Sequence, residues 1–160
     1  MRLTIAAIGR MKAGPEQTLA ERYVGRFAKS GSALGLDYAG LVEHPESRAS
    51  AVAERKREEA GRLVQSLPEK AALIALDETG KTLSSEDFAA ALAALRDEGL
   101  RDLGLVIGGP DGLDPDIRAR ARLVLSLGRM TWPHQIARIL LAEQLYRATT
   151  ILSGHPYHRA

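Results

Sequence analysis

The chain has 160 residues, 45% hydrophobic and 26% charged, which suits one domain (1–160) able to bury its own core. It has no cysteine, which excludes disulfides and thiolate zinc sites, and no run approaches the roughly 18 apolar residues of a membrane helix. The net charge of +2 hides an asymmetry: residues 1–117 hold 15 Lys and Arg against 19 Asp and Glu, whereas residues 118–160 hold seven Arg against the single Glu143.

Such an Arg-rich end suits phosphate or nucleic acid, and equally a solvated face. At the other end, Met1-Arg2-Leu3-Thr4-Ile5 is too short an apolar run for a signal peptide. With the missing cysteines it sets the expectation of a cytoplasmic protein.

The first strand is expected at Leu3–Ile8, ending at Gly9. A helix can begin at Pro15, and Leu19, Tyr23 and Phe27 recur every four residues on one face of it. Leu34–Val42 reads as a second strand, and the charged, Ala-rich Ser47–Leu67 as a mostly exposed helix. Ala71–Leu76 reads as a buried third strand followed by a loop, Asp77-Glu78-Thr79-Gly80-Lys81. Ser84 and Asp87 have the spacing of a helix cap, and Gly99 is placed to stop that helix. Leu103–Ile107 and Leu123–Leu127 are the fourth and fifth strands, with Asp114-Pro115 opening a short helix between them. Gln135–Leu152 is a strongly apolar last helix, and Ser153–Ala160 a polar tail. This order predicts an α/β fold with a mainly parallel sheet and helices on both faces.

In such sheets ligands gather at the carboxyl ends of strands, which singles out the loops after Leu76, Ile107 and Leu127. Gly108-Gly109-Pro110-Asp111-Gly112 permits close approach to a ligand, or is a plain strand-to-helix turn. It matches neither G-x-G-x-x-G nor the P-loop. The apolar residues in Leu127-Gly128-Arg129-Met130-Thr131-Trp132-Pro133-His134 suit the wall of an adenine or thioether site. Alternatively the loop packs on the core, with Trp132 a core residue and His134 a helix cap. Glu143 and Arg147 have the spacing of a helical pair, and so much apolar surface on one helix suits a homodimer. The tail His155-Pro156-Tyr157-His158-Arg159 offers acid–base groups, a stacking ring and a phosphate binder, or is a frayed terminus. No carboxylate accompanies its histidines, so no metal is expected.

Taken together, Val106–Leu113, Met130–His134, Ala142–Ala148 and Tyr157–Arg159 resemble the small bacterial ribosomal RNA large-subunit pseudouridine N3-methyltransferases of the SPOUT superfamily. Leu3–Gly9 and Leu73–Gly80 match as well, so the resemblance spans essentially the whole chain. It implies a C-terminal trefoil knot in place of an ordinary doubly wound sheet, and a homodimer. It implies an S-adenosylmethionine pocket formed by Leu76, Gly108, Gly109, Leu127, Gly128, Arg129, Met130, Thr131 and Trp132. The implied substrate is a pseudouridine in helix 69 of 23S ribosomal RNA on the assembled 70S ribosome. In that reading His158 and Tyr157 position the base or handle the proton, Arg159 meets phosphate, and His134 is a second proton-handling candidate. The tail of one protomer reaches the cofactor of the other. The rivals are a nucleotide-binding hydrolase or transferase, which lacks its phosphate loop or metal carboxylates here, and a non-catalytic ribosome-binding or assembly factor.

Overall fold

The computed structural model describes residues 1–159. Its elements in chain order are β1 Arg2–Ile8, α1 Pro15–Gly31, β2 Asp37–His44, α2 Val52–Gln65, β3 Ala72–Thr82 and α3 Ser85–Asp97. β4 Asp102–Ile107, α4 Pro115–Arg120, β5 Leu123–Ser126 and α5 His134–Leu152 complete the chain. The five strands form one sheet in the order β2-β1-β4-β3-β5, and every pairing is parallel. Parallel strands need crossovers, and each crossover here carries a helix.

Alternation along the strands divides the interior into two layers. Leu3, Ile5 and Ala7 of β1, Ile74 and Leu76 of β3, and Leu103, Leu105 and Ile107 of β4 face one side. There they meet Phe27 of α1, Phe88 and Leu92 of α3, and Leu141 and Leu145 of α5. Ala6 and Ile8, Leu73 and Ala75, and Val106 face the other, against Leu63 of α2 and Ile117 of α4. Helices therefore cover both faces, as the element order predicts. Each fully buried large side chain contributes roughly 1.5–3 kcal/mol.

The cap residues behave as their types dictate. The Ser84 hydroxyl accepts from the Asp87 amide at 3.0 Å, and Asp114 accepts from Asp116 at 2.9 Å. Three boundaries depart from the sequence expectation by three residues or more. Residues Ser32–Leu34 form a short 3-10 turn, so β2 starts at Asp37 rather than Leu34. α2 starts at Val52 rather than Ser47, because Ser47 is tied instead to Glu58 and Glu59 of that helix. β3 does not end at Leu76. It pairs with β5 from Ile74 to Leu76, bulges out, and rejoins β5 at Lys81 and Thr82. The return is possible because Gly80 lies flat on β5: a Cβ there would stand 2.6 Å from the Val124 carbonyl oxygen.

Candidate active site

The bulge of β3, the loop after β4 and the loop after β5 converge on one cavity of about 490 Å³, within the range of small-molecule sites. Leu76, Gly108, Gly109, Leu127, Gly128, Met130, Thr131, Trp132 and His134 all line it. Arg129 does not; it is exposed. Trp132 is not core. It is 40% exposed, with its indole N–H donating to the Leu127 carbonyl at 3.3 Å, and Met130 beside it is 73% exposed. Both are exposed apolar groups on the lining of the cavity.

The cavity floor is main chain. Pro110 and Asp111 sit at the corner of a turn closed by the Gly112 amide donating to the Gly109 carbonyl at 2.9 Å, and Arg55 of α2 holds Asp111 at 2.7 Å. A Cβ on Gly108 would stand 2.8 Å from the Gly112 main chain, so no other residue fits there without moving the turn. On the far side, Ser126 bonds both the amide and the carbonyl of Gly128. The stretch Leu125–Gly128 also walls a second, smaller cavity of about 220 Å³ with Ser84, Phe88 and Gln144.

α5 begins at the cavity. Pro133 precedes it and His134 is its first residue, so His134 does not cap it through its side chain. Its imidazole lies over Gly9. One turn on, Arg138 is 3% exposed and binds Glu43 and the carbonyls of Ile8 and Gly9. Glu43 also accepts from the Met11 amide at 2.9 Å. Burial pulls the Arg138 guanidinium down from its ordinary value and Glu43 opposes that shift. This buried clamp joins the ends of β1 and β2 to the start of α5. Sequence reading missed it, because Arg138 sits amid apolar helix residues and two of its partners are main-chain carbonyls about 130 positions away.

The tail is not frayed. α5 ends with Gly154 in the left-handed region (φ 68°) and the His155 amide bonded to the Thr150 carbonyl at 2.8 Å, which turns the chain back along the helix. The Tyr157 ring packs on Tyr146 at 4.8 Å and under the Arg147 guanidinium at 4.9 Å. Its hydroxyl donates to Glu143 at 3.0 Å, and Glu143 also holds Arg147 at 2.6 Å, the helical pair expected from their spacing. His158 lies 2.6 Å from Glu86 of α3 and 3.4 Å from Arg147. Arg159 is exposed. Burial, then Tyr23 and Glu143, push the Tyr157 phenol well above its ordinary range. A backbone hydrogen bond, then His158 and Ser84, hold the Glu86 carboxyl below its own. Within one chain, then, Tyr157 and His158 stand apart from the cavity that His134 lines. Glu143 and Arg147 follow His134 by about 13 and 20 Å of helix.

Among the described residues no group of three or more His, Asp or Glu could hold a metal ion, and no helix is long and apolar enough to cross a membrane.

The chain is similar to known proteins. A family described as "Predicted SPOUT methyltransferase" matches residues 1–158. Proteins named "Ribosomal RNA large subunit methyltransferase H" are 62% identical in Rhizobium meliloti, 61% in Brucella anthropi and 60% in Allorhizobium ampelinum, each over 160 residues and the full length of both chains. Among solved structures, a probable methyltransferase from Bordetella pertussis Tohama I superposes with a TM-score of 0.52 at 15% identity, covering 92% of this chain and 95% of its own. A probable methylase family protein from Haemophilus influenzae Rd KW20 also reaches 0.52, at 13% identity, over 99% and 70%. These two likenesses establish the fold.

Proposed function

The chain belongs to the SPOUT methyltransferase family, and from that premise we propose that it transfers the methyl group of S-adenosylmethionine to N3 of a pseudouridine in helix 69 of 23S ribosomal RNA, on the assembled 70S ribosome. The observation that carries this is the cavity at the ends of β3, β4 and β5, which sets apolar groups and glycine main chain beside a charged side and carries neither glycine-rich phosphate motif. The names of the full-length relatives support large-subunit ribosomal RNA as substrate. The same reading takes residues 1–160 as one catalytic domain, working in the cytoplasm as a homodimer whose C-terminal path is a trefoil knot.

The residues present fit the cofactor. Gly108 keeps the floor flat, the Cβ side of Gly128 is open space, and Leu76, Leu127, Met130 and Trp132 offer surfaces for adenine and thioether. Main-chain groups at Leu76, Gly108, Gly109, Leu127, Gly128 and Met130–Trp132 would hold it, with Arg129 outside the lining. When bound, the cofactor supplies a methyl already activated by its sulfonium. What remains for the chain is alignment, worth roughly 7–11 kcal/mol, and removal of the N3 proton, worth about 10²–10⁴-fold.

The Tyr157 phenol is protonated at neutral pH and donates to Glu143, so it holds Glu143 and Arg147 in place. His158 and His134 are the candidates for proton handling, and exposed Arg159 for phosphate. Because the tail lies apart from its own cavity, it serves the cavity of the partner. Half-buried Ile136, Ile151 and Leu152 leave α5 apolar surface for that contact. Mass spectrometry of 23S ribosomal RNA from cells with and without the protein tests the proposal. Loss of one methyl group from a helix 69 pseudouridine is expected. An unchanged modification would leave only ribosome binding.

A further inference from the structure

The lining of the large cavity is charged where α2, the β3 bulge and α4 meet it. Lys56, Asp77, Glu78, Asp111 and Arg118 contribute there, whereas the β5 end and the 127–133 loop contribute mostly apolar groups. Acids outnumber cations in this lining, which suits a zwitterion better than a phosphate. The charges are unevenly committed. Asp111 is closed in its pair with Arg55 at 2.7 Å. Asp77 Oδ1 already accepts both the amide and the hydroxyl of Thr79, at 3.0 and 2.6 Å. Arg118 therefore has only a shared acceptor at 3.7 Å and the Thr79 hydroxyl at 3.3 Å, which leaves most of its five donors unused. Lys56 is half-buried beside Gly112 and has no ion pair among the described residues.

We infer that Lys56 and Arg118 form a carboxylate subsite, which takes the amino-acid end of the cofactor while the apolar side of the cavity takes its adenine. This rests on the cofactor reading above and deepens it. A guanidinium presents a fork that matches a carboxylate, and a half-buried ammonium strengthens the same contact. The acids beside them accept the neighbouring ammonium group. Bound ligand would draw Arg118 off Asp77, and the bulge would thereby register whether the amino-acid end is present.

Calorimetry on the full chain tests this with two probes, S-adenosylhomocysteine and 5′-methylthioadenosine, which share the adenine and thioether but differ in the amino-acid end. The wild-type protein should bind the first at least about tenfold more tightly, the size of one or two charge-assisted hydrogen bonds. Arg118→Ala and Lys56→Met should each narrow that gap by several-fold and together abolish it. Methylthioadenosine affinity should stay unchanged, which also reports an intact pocket. Arg118→Lys should restore part of the gap. A gap that survives the double substitution, or equal weakening of both ligands, overturns the subsite. Binding of neither probe by the wild-type protein overturns the cofactor reading, and the subsite with it.

Discussion

The two ends of α5 are built in opposite ways. At His134–Arg138 the helix abuts a cavity shaped by glycine main chain and apolar walls with a charged side opposite, and one buried guanidinium holds three elements together. At Glu143–His158 the working groups are side chains in a polar network, laid on the surface of a helix that would exist without them. A site made of backbone is sensitive to shape and inseparable from folding. A site made of side chains is sensitive to single polar atoms and nearly separable from it. Substitutions at the two ends should therefore divide stability and cofactor binding from RNA chemistry.

The largest effect is expected at the clamp. Arg138→Met leaves Glu43 and the Ile8 and Gly9 carbonyls without their shared donor. It should cost about 3 kcal/mol of unfolding free energy in denaturant titrations, the low end for a buried pair because Glu43 is partly exposed. Next is Gly80→Ala, whose Cβ would press into the Val124 carbonyl. About 1–3 kcal/mol should be lost, with weakened S-adenosylhomocysteine binding, since β5 must move to make room. A methyl group accepted at Gly80 without cost would show that the return of β3 to β5 is not tight.

Smaller effects belong to the tail. Tyr157→Phe keeps the ring on Tyr146 and removes only the donor to Glu143, at about 0.5–1.5 kcal/mol. The wild-type phenol is raised in the folded state, so its stabilisation is complete below the ordinary Tyr value and is lost as pH climbs through the raised one. The Phe variant should lack that alkaline slope in thermal unfolding. The smallest effect is at Glu86, an exposed carboxylate held low partly by His158. Its contribution is present above the ordinary Glu value and is lost as pH falls through the lowered one. Glu86→Gln should flatten that acid-side slope while cofactor affinity stays the same.

How much of this was legible in the sequence follows the same division. The strands read cleanly because apolar runs such as Ala71–Leu76 have one reading in a covered sheet, and Ser84 and Asp114 announce their helices. The cavity loops were legible because they follow strands. The bulge was not: Asp77-Glu78-Thr79-Gly80 has the composition of a turn, and only the close approach of Gly80 to β5 shows that pairing resumes. Lys56 and Arg118 escaped notice because they reach the cavity from helices on the opposite face of the sheet from α5. The tail residues were visible as an unusual cluster, but their attachment to Glu143 and Glu86 depends on a chain reversal at Gly154 that composition does not reveal.

The most direct test is truncation after Gly154, with two readouts on the same preparation: S-adenosylhomocysteine binding by calorimetry and methyl transfer to ribosomes. A pocket built of backbone and a tail built for the RNA predict unchanged binding and abolished transfer. Full transfer without the tail, or loss of binding together with transfer in a folded protein, would contradict the division of labour between the two ends of α5.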